Sequence, residues 1–581
     1  MGACSSGQSD EVELVHEMRY PMYVVKVTDF LDMEGGMTHQ ELKAAGKLYQ
    51  WVPGMFAVFV SHQWLGHVHP DPLGEQLQVL RDGLRGLVEG SLKVEHNFVA
   101  TIYGVSLDWS ESKREALHQG YLFLDLCSLP QILDLGTGSV DFTNTSDASL
   151  AVQSIPAYVE RCDLFIALAP ELTHADSGAH CNYTTWLTRG WCRAELWYRT
   201  LSNRKNTSVI VMLSAVEAEC MFYQNKYQTR IVDGQFTVEE DRAVLTRLGE
   251  EATDKKIKHL RSRPDDLHWY RYFVALRNRW VGQPNRTWTV PDFLEHFMFD
   301  SLADAAIDGS HMFGLLCAVV AGDCSMVRAL VSAQADVNRQ VSGLADMGFY
   351  PGITPLMVAA ISEQSGPVMS TLLELKADIH ARSWMGVNSL FLARSAEQVA
   401  VLLEAKVDLE GAALPAHLTP LTGVNIYSNV ETVVALLEAR CDPNPELAGA
   451  GFGPLHAAGL FSRGNPEALD MARLLIMQRA DVNVPARPTM LFGLICGLSQ
   501  SRANLCGFDA CPARTRFFAS LPGLTPLGIA ASVGSETLVN LLLEHRAEPE
   551  QPNGRGDVPR YLALANGHKH VYALLEDTFS I

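Results

Sequence analysis

One landmark recurs through the second half of the chain. An Ala-Asp pair or its equivalent ends at Asp336, Asp378, Asp408, Asp442, Asp481 and Glu548. Four of the five steps run from 30 to 42 residues, and the last is 67, about twice 33. Upstream of most landmarks lies a leucine-rich helix end, such as Ala435-Leu436-Leu437-Glu438 or Leu541-Leu542-Leu543-Glu544. Downstream come a turn and a Thr-Pro-Leu start, at Thr354-Pro355-Leu356, Thr419-Pro420-Leu421 and Thr525-Pro526-Leu527. Proline presets the first turn of a helix, small residues let helices approach, and paired leucines fill the space between units. A unit this short cannot bury its own apolar face, so it must stack on its neighbours.

A period of about 33 with this content resembles ankyrin repeats. Gly453-Pro454-Leu455-His456-Ala457-Ala458 is a further version of the start. The resemblance covers 306–581 and implies an all-α ankyrin solenoid of about seven units that binds a protein partner. The 386–411 unit is short. The 44 residues from Asp481 to Thr525 imply one degenerate unit, holding Cys496, Cys506 and Cys511 as buried thiols. Arg555-Gly556-Asp557 reads as a turn.

Residues 51–215 follow a different rule. Four continuous apolar runs, Ala57–Val60, Tyr121–Leu124, Asp163–Leu168 and Ser208–Leu213, read as strands buried on both faces. Between the first two, Leu77, Leu80, Leu84 and Leu87 recur at helical spacing. The alternation predicts an α/β doubly wound parallel sheet, with ligands at the carboxyl ends of its strands. Polar and aromatic clusters fall there: Ser61-His62-Gln63-Trp64 after the first strand and a run from Asp125 after the second. The boundaries expected are an N-terminal extension over 1–50, the α/β domain over 51–215, a helical extension over 216–305 and the repeats beyond. The extension's aromatics, Trp269, Tyr270, Tyr272, Phe273, Trp280 and Trp288, are expected to pack rather than stack on bases.

The order of pieces from 57 to 213 resembles the Toll/interleukin-receptor (TIR) domain, a flavodoxin-like fold. Trp191-Cys192-Arg193-Ala194-Glu195-Leu196 matches that family's fourth-helix motif. The resemblance leaves the fifth strand open, with Arg230-Ile231-Val232 as the candidate. It implies signalling through self-association or, in the catalytic members, cleavage of the nicotinamide–ribose bond of NAD by the helix glutamate, here Glu195. A pyridinium leaving group needs no general acid, so a carboxylate that stabilises an oxocarbenium-like transition state suffices. Trp191, His62, Trp64 and Asp125 are the candidate substrate-binding residues. NAD enters as a substrate, and no cofactor is required.

Composition narrows the partners. The net charge of −20 argues against nucleic acid, and no apolar run approaches the ~18–20 residues of a membrane span. Twelve cysteines without a C-x-x-C pair suit a reducing, cytoplasmic setting. The start Met-Gly-Ala-Cys-Ser-Ser fits an acylation signal, with Gly2 as myristoyl acceptor and Cys4 as a palmitoyl site, which would anchor the protein to a membrane. No metal site is expected: His67 and His69 have no third ligand within reach along the chain.

Overall fold

The computed structural model describes residues 14–577 except 34, 97–108, 131–145, 205–207, 222–229, 350, 363–364, 414–415, 428, 464, 466 and 509. Gly2 and Cys4 lie outside the described residues. The described chain forms two compact units, dividing near residue 263.

The first unit is built on one mixed sheet. Its strands are β1 (Tyr23–Lys26), β2 (Leu48–Gln50), β3 (Ala57–His62), β4 (Val94–His96), β5 (Tyr121–Phe123), β6 (Leu164–Leu168), β9 (Val209–Ser214) and β10 (Glu217–Cys220). β7 (Leu172–Thr173) and β8 (His180–Cys181) form a separate small hairpin. The sheet order is β2-β1-β5-β3-β6-β9-β10-β4. The four apolar runs are its centre, β5-β3-β6-β9, all parallel. In chain order these four run 2-1-3-4, and the order reverses between β3 and β6, the position outside whose carboxyl ends such sheets bind ligands.

Strand alternation explains both faces. Phe59 is in register with Phe123 and Phe165, and its ring stacks on theirs at 5.0 and 5.3 Å. Val58 and Val60 point the other way, into a cluster with Leu77, Leu80, Leu84 and Leu87 of the helix Glu75–Glu89. The long helix Glu240–Arg261 packs on the helix Gly190–Leu201.

Three expectations change here. The stretch before residue 51, expected as an extension, adds two strands to the sheet: β1 pairs antiparallel with both β2 and β5. Ile231–Asp233 is a single 3-10 turn. The position beside β9 is taken by β10, antiparallel after a tight turn, so a fifth parallel strand has no place there. The sheet is therefore mixed, because only its four central strands are joined by crossovers.

The second unit begins at Pro264 and is helical. Its first long helix, Leu267–Trp280, packs on Gly314–Ala321. Buried Arg271 donates to the Phe297 and Met312 carbonyls and to Asp308. Tyr272, Phe273 and Trp280 meet edge-on within 5.0–6.3 Å, so the aromatic block is core. Helix pairs follow: Gly314–Ala321 with Cys324–Ser332, Pro355–Ile361 with Gly366–Glu374, Pro420–Tyr427 with Val430–Glu438, and Pro454–Leu460 with Ala468–Met477. Two more close the stack, Pro526–Val533 with Glu536–Glu544 and Pro559–Ala565 with Lys569–Asp577. The short 386–411 unit keeps only Ala396–Glu404 as a helix.

The segment between Asp481 and Thr525 is not a degenerate repeat. It forms a helical hairpin, Met490–Cys506 and Ala513–Ser520, whose first helix has 17 residues where the flanking repeats use seven to ten. The stack bypasses it: Pro454–Leu460 packs directly on Pro526–Val533, and Ala468–Met477 on Glu536–Glu544. Ala486 and Leu524 close the base of the hairpin through a 2.8 Å backbone hydrogen bond. Of its cysteines, Cys496 and Cys511 are buried and Cys506 is exposed.

Candidate functional site

The site lies where β3 and β5 end, at the carboxyl edge of the parallel strands. Alternation sends the last residues of β3 in opposite directions. His62, on the Val58–Val60 side, reaches Gln76 of the helix Glu75–Glu89. Ser61, on the Phe59 side, faces Cys192 and Glu195 of the helix Gly190–Leu201. Asp125 stands two residues beyond the end of β5 and opens a short turn of helix.

The His62 ring nitrogens both face oxygen acceptors. Nδ1 is 2.7 Å from Gln76 Oε1 and Nε2 is 2.8 Å from Asp125 Oδ1. The Gln76 amide is oriented by its own donation to the Gln63 carbonyl at 3.3 Å. Two acceptors require two ring protons, so the imidazolium is the form that fits. Burial pulls the His62 pKa down, but the Asp125 charge and the two hydrogen bonds more than reverse this, raising it to about 9. Burial likewise opposes ionisation of Asp125. Its charged contact with His62 and its bonds from the Trp64 indole, 3.0 Å, and the Leu126 amide hold it below the usual carboxylate range.

Glu195 behaves in the opposite way. Burial raises its pKa to about 8; Ser61 and His62 pull it back, and the Asp125 charge adds to the rise. The Ser61 hydroxyl is close enough to stabilise the carboxylate without reaching full hydrogen-bond geometry. At neutral pH the site thus holds an ionised His62–Asp125 pair beside a neutral carboxyl. Titratable groups driven apart in this way, at the carboxyl ends of parallel strands, are candidates for a functional site.

Of the five sequence candidates, His62, Trp64 and Asp125 are joined by direct hydrogen bonds, and Glu195 feels the charges of His62 and Asp125. Trp64 keeps 38% of its surface exposed while its indole N–H is held by Asp125. Trp191 donates its indole N–H to Asp241 of the helix Glu240–Arg261 at 2.8 Å. Its backbone start is tightly constrained: a Cβ on Gly190 would come within 2.2 Å of the Phe236 ring. Sequence reasoning missed Gln76, which sits on the buried side of an otherwise leucine-lined helix; a polar residue at that position was the available signal. Ser61 and Cys192, present in the sequence runs but not among the candidates, also belong here; the Cys192 Sγ lies 3.6 Å from the His62 carbonyl.

The second unit supplies a different kind of evidence. Residues 522–554 match the ankyrin-repeat family. An ankyrin repeat is present. Among solved structures the chain is similar to the human ASB11 ankyrin repeat domain, at 20% identity, covering 45% of this chain and 96% of that one with a TM-score of 0.32. It is also similar to the ankyrin repeat domain of Bcl-3, a member of the IkappaB family, at 22% identity, covering 46% and 99% with a TM-score of 0.30. A comparison with curated proteins returned no match. Ankyrin repeats as a class mediate protein–protein contact across their stacked surface.

Proposed function

We propose that this is a two-module signalling protein. The ankyrin module binds a protein partner, and the α/β module is a TIR-like domain that cleaves NAD between nicotinamide and ribose. The observation that carries the catalytic reading is the convergence of Glu195 with His62, Trp64 and Asp125 at the strand ends, from segments up to 133 residues apart. In this reading Glu195, once ionised, stabilises the positive charge that develops on the ribose as nicotinamide leaves. Trp64 offers a ring face to the substrate. The His62–Asp125 pair fixes the strand ends, and the Asp125 carboxylate accepts from the ribose hydroxyls. The Trp-Cys-x-x-Glu-Leu run and the 2-1-3-4 order of the central strands support the TIR-like assignment.

A scaffold reading, in which the α/β module only self-associates, draws on two observations. Burial keeps Glu195 protonated at neutral pH, and the Trp191 indole N–H is taken by Asp241. The test is nicotinamide release from NAD by the full-length protein at several concentrations. Turnover lost in Glu195→Gln supports catalysis; no turnover by folded protein at high concentration leaves the scaffold.

The Gly2 and Cys4 signal adds an acyl anchor to this reading. Among the described residues no helix is long and apolar enough to cross a membrane. Gly2→Ala should move the protein from the membrane fraction to the supernatant; unchanged fractionation rejects the anchor.

A further inference from the structure

The loop after β3 and the hairpin after β6 bring together three metal-ligand side chains. His67 lies in the loop; His174 and Asp176 lie in the β7–β8 hairpin, more than 100 residues later. One ligand atom from each lies within 4.8 Å of the others, and the two imidazole centroids are 4.9 Å apart. The loops are also bonded to each other. The Ala175 amide donates to the Leu65 carbonyl at 2.7 Å, and the His67 amide donates to Asp176 Oδ2 at 2.7 Å. That second bond orients the carboxylate and leaves Oδ1 for another partner, as the supporting hydrogen bonds of metal-binding carboxylates do.

We propose that His67, His174 and Asp176 bind a divalent transition ion of the zinc class. Two imidazoles and one carboxylate are a donor set that suits zinc, whereas magnesium and calcium prefer all-oxygen ligands. Zinc–ligand bonds of about 2.0–2.2 Å need ligand atoms somewhat closer than they stand, a change that rotation of these surface side chains supplies. His174 Nδ1 lies 3.3 Å from the Asp176 and Ser177 amides. Coordination through Nε2 puts the ring proton on Nδ1 and gives up these two long contacts. Three protein ligands leave a coordination position for water or an anionic group. The ion would staple the Leu65–Gly74 loop to the hairpin, so that two loops at the carboxyl edge of the sheet move as one. His69 lies outside this cluster, and its Nδ1 accepts from the Asp71 amide.

The inference does not depend on NAD cleavage and is tested by binding. Full-length protein stripped with chelator is titrated with zinc, with cobalt(II), whose visible absorption reports tetrahedral coordination, and with magnesium. The expected result is one zinc equivalent that raises the melting temperature, a cobalt band of tetrahedral type, and no such response to magnesium. His174→Ala should lose more affinity than the roughly 10–100-fold that removal of a supporting partner costs. Asp176→Asn, which keeps an acceptor for the His67 amide, and the surface change His67→Gln are the controls should His174→Ala misfold; each should weaken zinc and abolish the cobalt band. The proposal falls if zinc binds the His67→Gln/Asp176→Asn double variant as tightly as wild type, because the ion then sits among the other histidines. It falls equally if wild type takes up no zinc, or takes up magnesium just as well.

Discussion

Asp125 Oδ1 lies 2.8 Å from Nε2 of His62, on a strand end 63 residues earlier in the chain. The carboxylate is held further by the Trp64 indole, so one side chain ties the end of β5 to the end of β3 and to an exposed aromatic ring. Removing its charge should release the imidazole to the pull of burial. In Asp125→Asn the His62 pKa should fall from about 9 to below the ordinary histidine value of about 6.5, read by NMR titration of labelled imidazoles. A His62 that still titrates near 9 in this variant would place the source of its shift elsewhere.

Under the proposed NAD cleavage, the pH profile should follow Glu195. That reading needs the Glu195 anion, and burial raises its pKa to about 8. Nicotinamide release under kcat/KM conditions should climb about tenfold per pH unit below 8 and level off above it. Glu195→Gln should abolish turnover while leaving the far-ultraviolet circular dichroism unchanged. A profile already flat from pH 6 would mean that Glu195 is not the group ionising.

The same carboxyl makes a stability prediction with a definite sign. Its folded pKa exceeds the unfolded value of about 4.5, so the folded state holds the extra proton between these two values. Its contribution is fully present below 4.5 and is lost as pH rises through 8. Glu195→Gln should remove this dependence and melt higher than wild type at pH 8 in a thermal scan.

His456 acts in the opposite direction in the ankyrin module. It is fully buried, accepts from the Gly453 amide through Nδ1 and reaches the Leu524 carbonyl through Nε2 at 3.1 Å. Burial lowers its pKa to about 4, against 6.5 unfolded. The unfolded chain therefore binds the extra proton, and stability is lost as pH falls from 6.5 toward 4, by up to about 1.4 kcal/mol per pH unit. His456→Gln should shallow that slope in urea titrations at pH 7 and pH 5.

The hairpin between the fourth and fifth helix pairs should be removable. Asn483 donates to the Arg546 carbonyl and accepts from the Glu548 amide at 2.8 Å, as Asn444 does to Arg479 and Asp481 in the preceding turn. Replacing 488–522 with two glycines should keep the helical signal of the stack, though exposure of Phe452 and Leu562 should lower its melting temperature. Asn483→Ala, which breaks the turn-to-turn ladder, should cost about 1–2 kcal/mol in urea unfolding.

Local pattern alone determined much of this molecule. The Asp landmarks and Thr-Pro-Leu starts gave away the repeats because each unit must present the same apolar face to its neighbours. The four central strands were legible because a strand covered on both faces is apolar without interruption. His62, Trp64 and Asp125 were found because parallel strands expose their carboxyl ends, and polar clusters there stand out. Pairing at the sheet edges was decided only in three dimensions: β1 and β2 are short, half-buried strands without such a signal, and β10 follows β9 directly. The hairpin at 490–520 reads as a repeat in the sequence because its length is on display there and its contacts are not. The third metal-ligand candidates, His174 and Asp176, and the Gln76 partner of His62 depend on contacts between distant segments, and folding alone brings such segments into register.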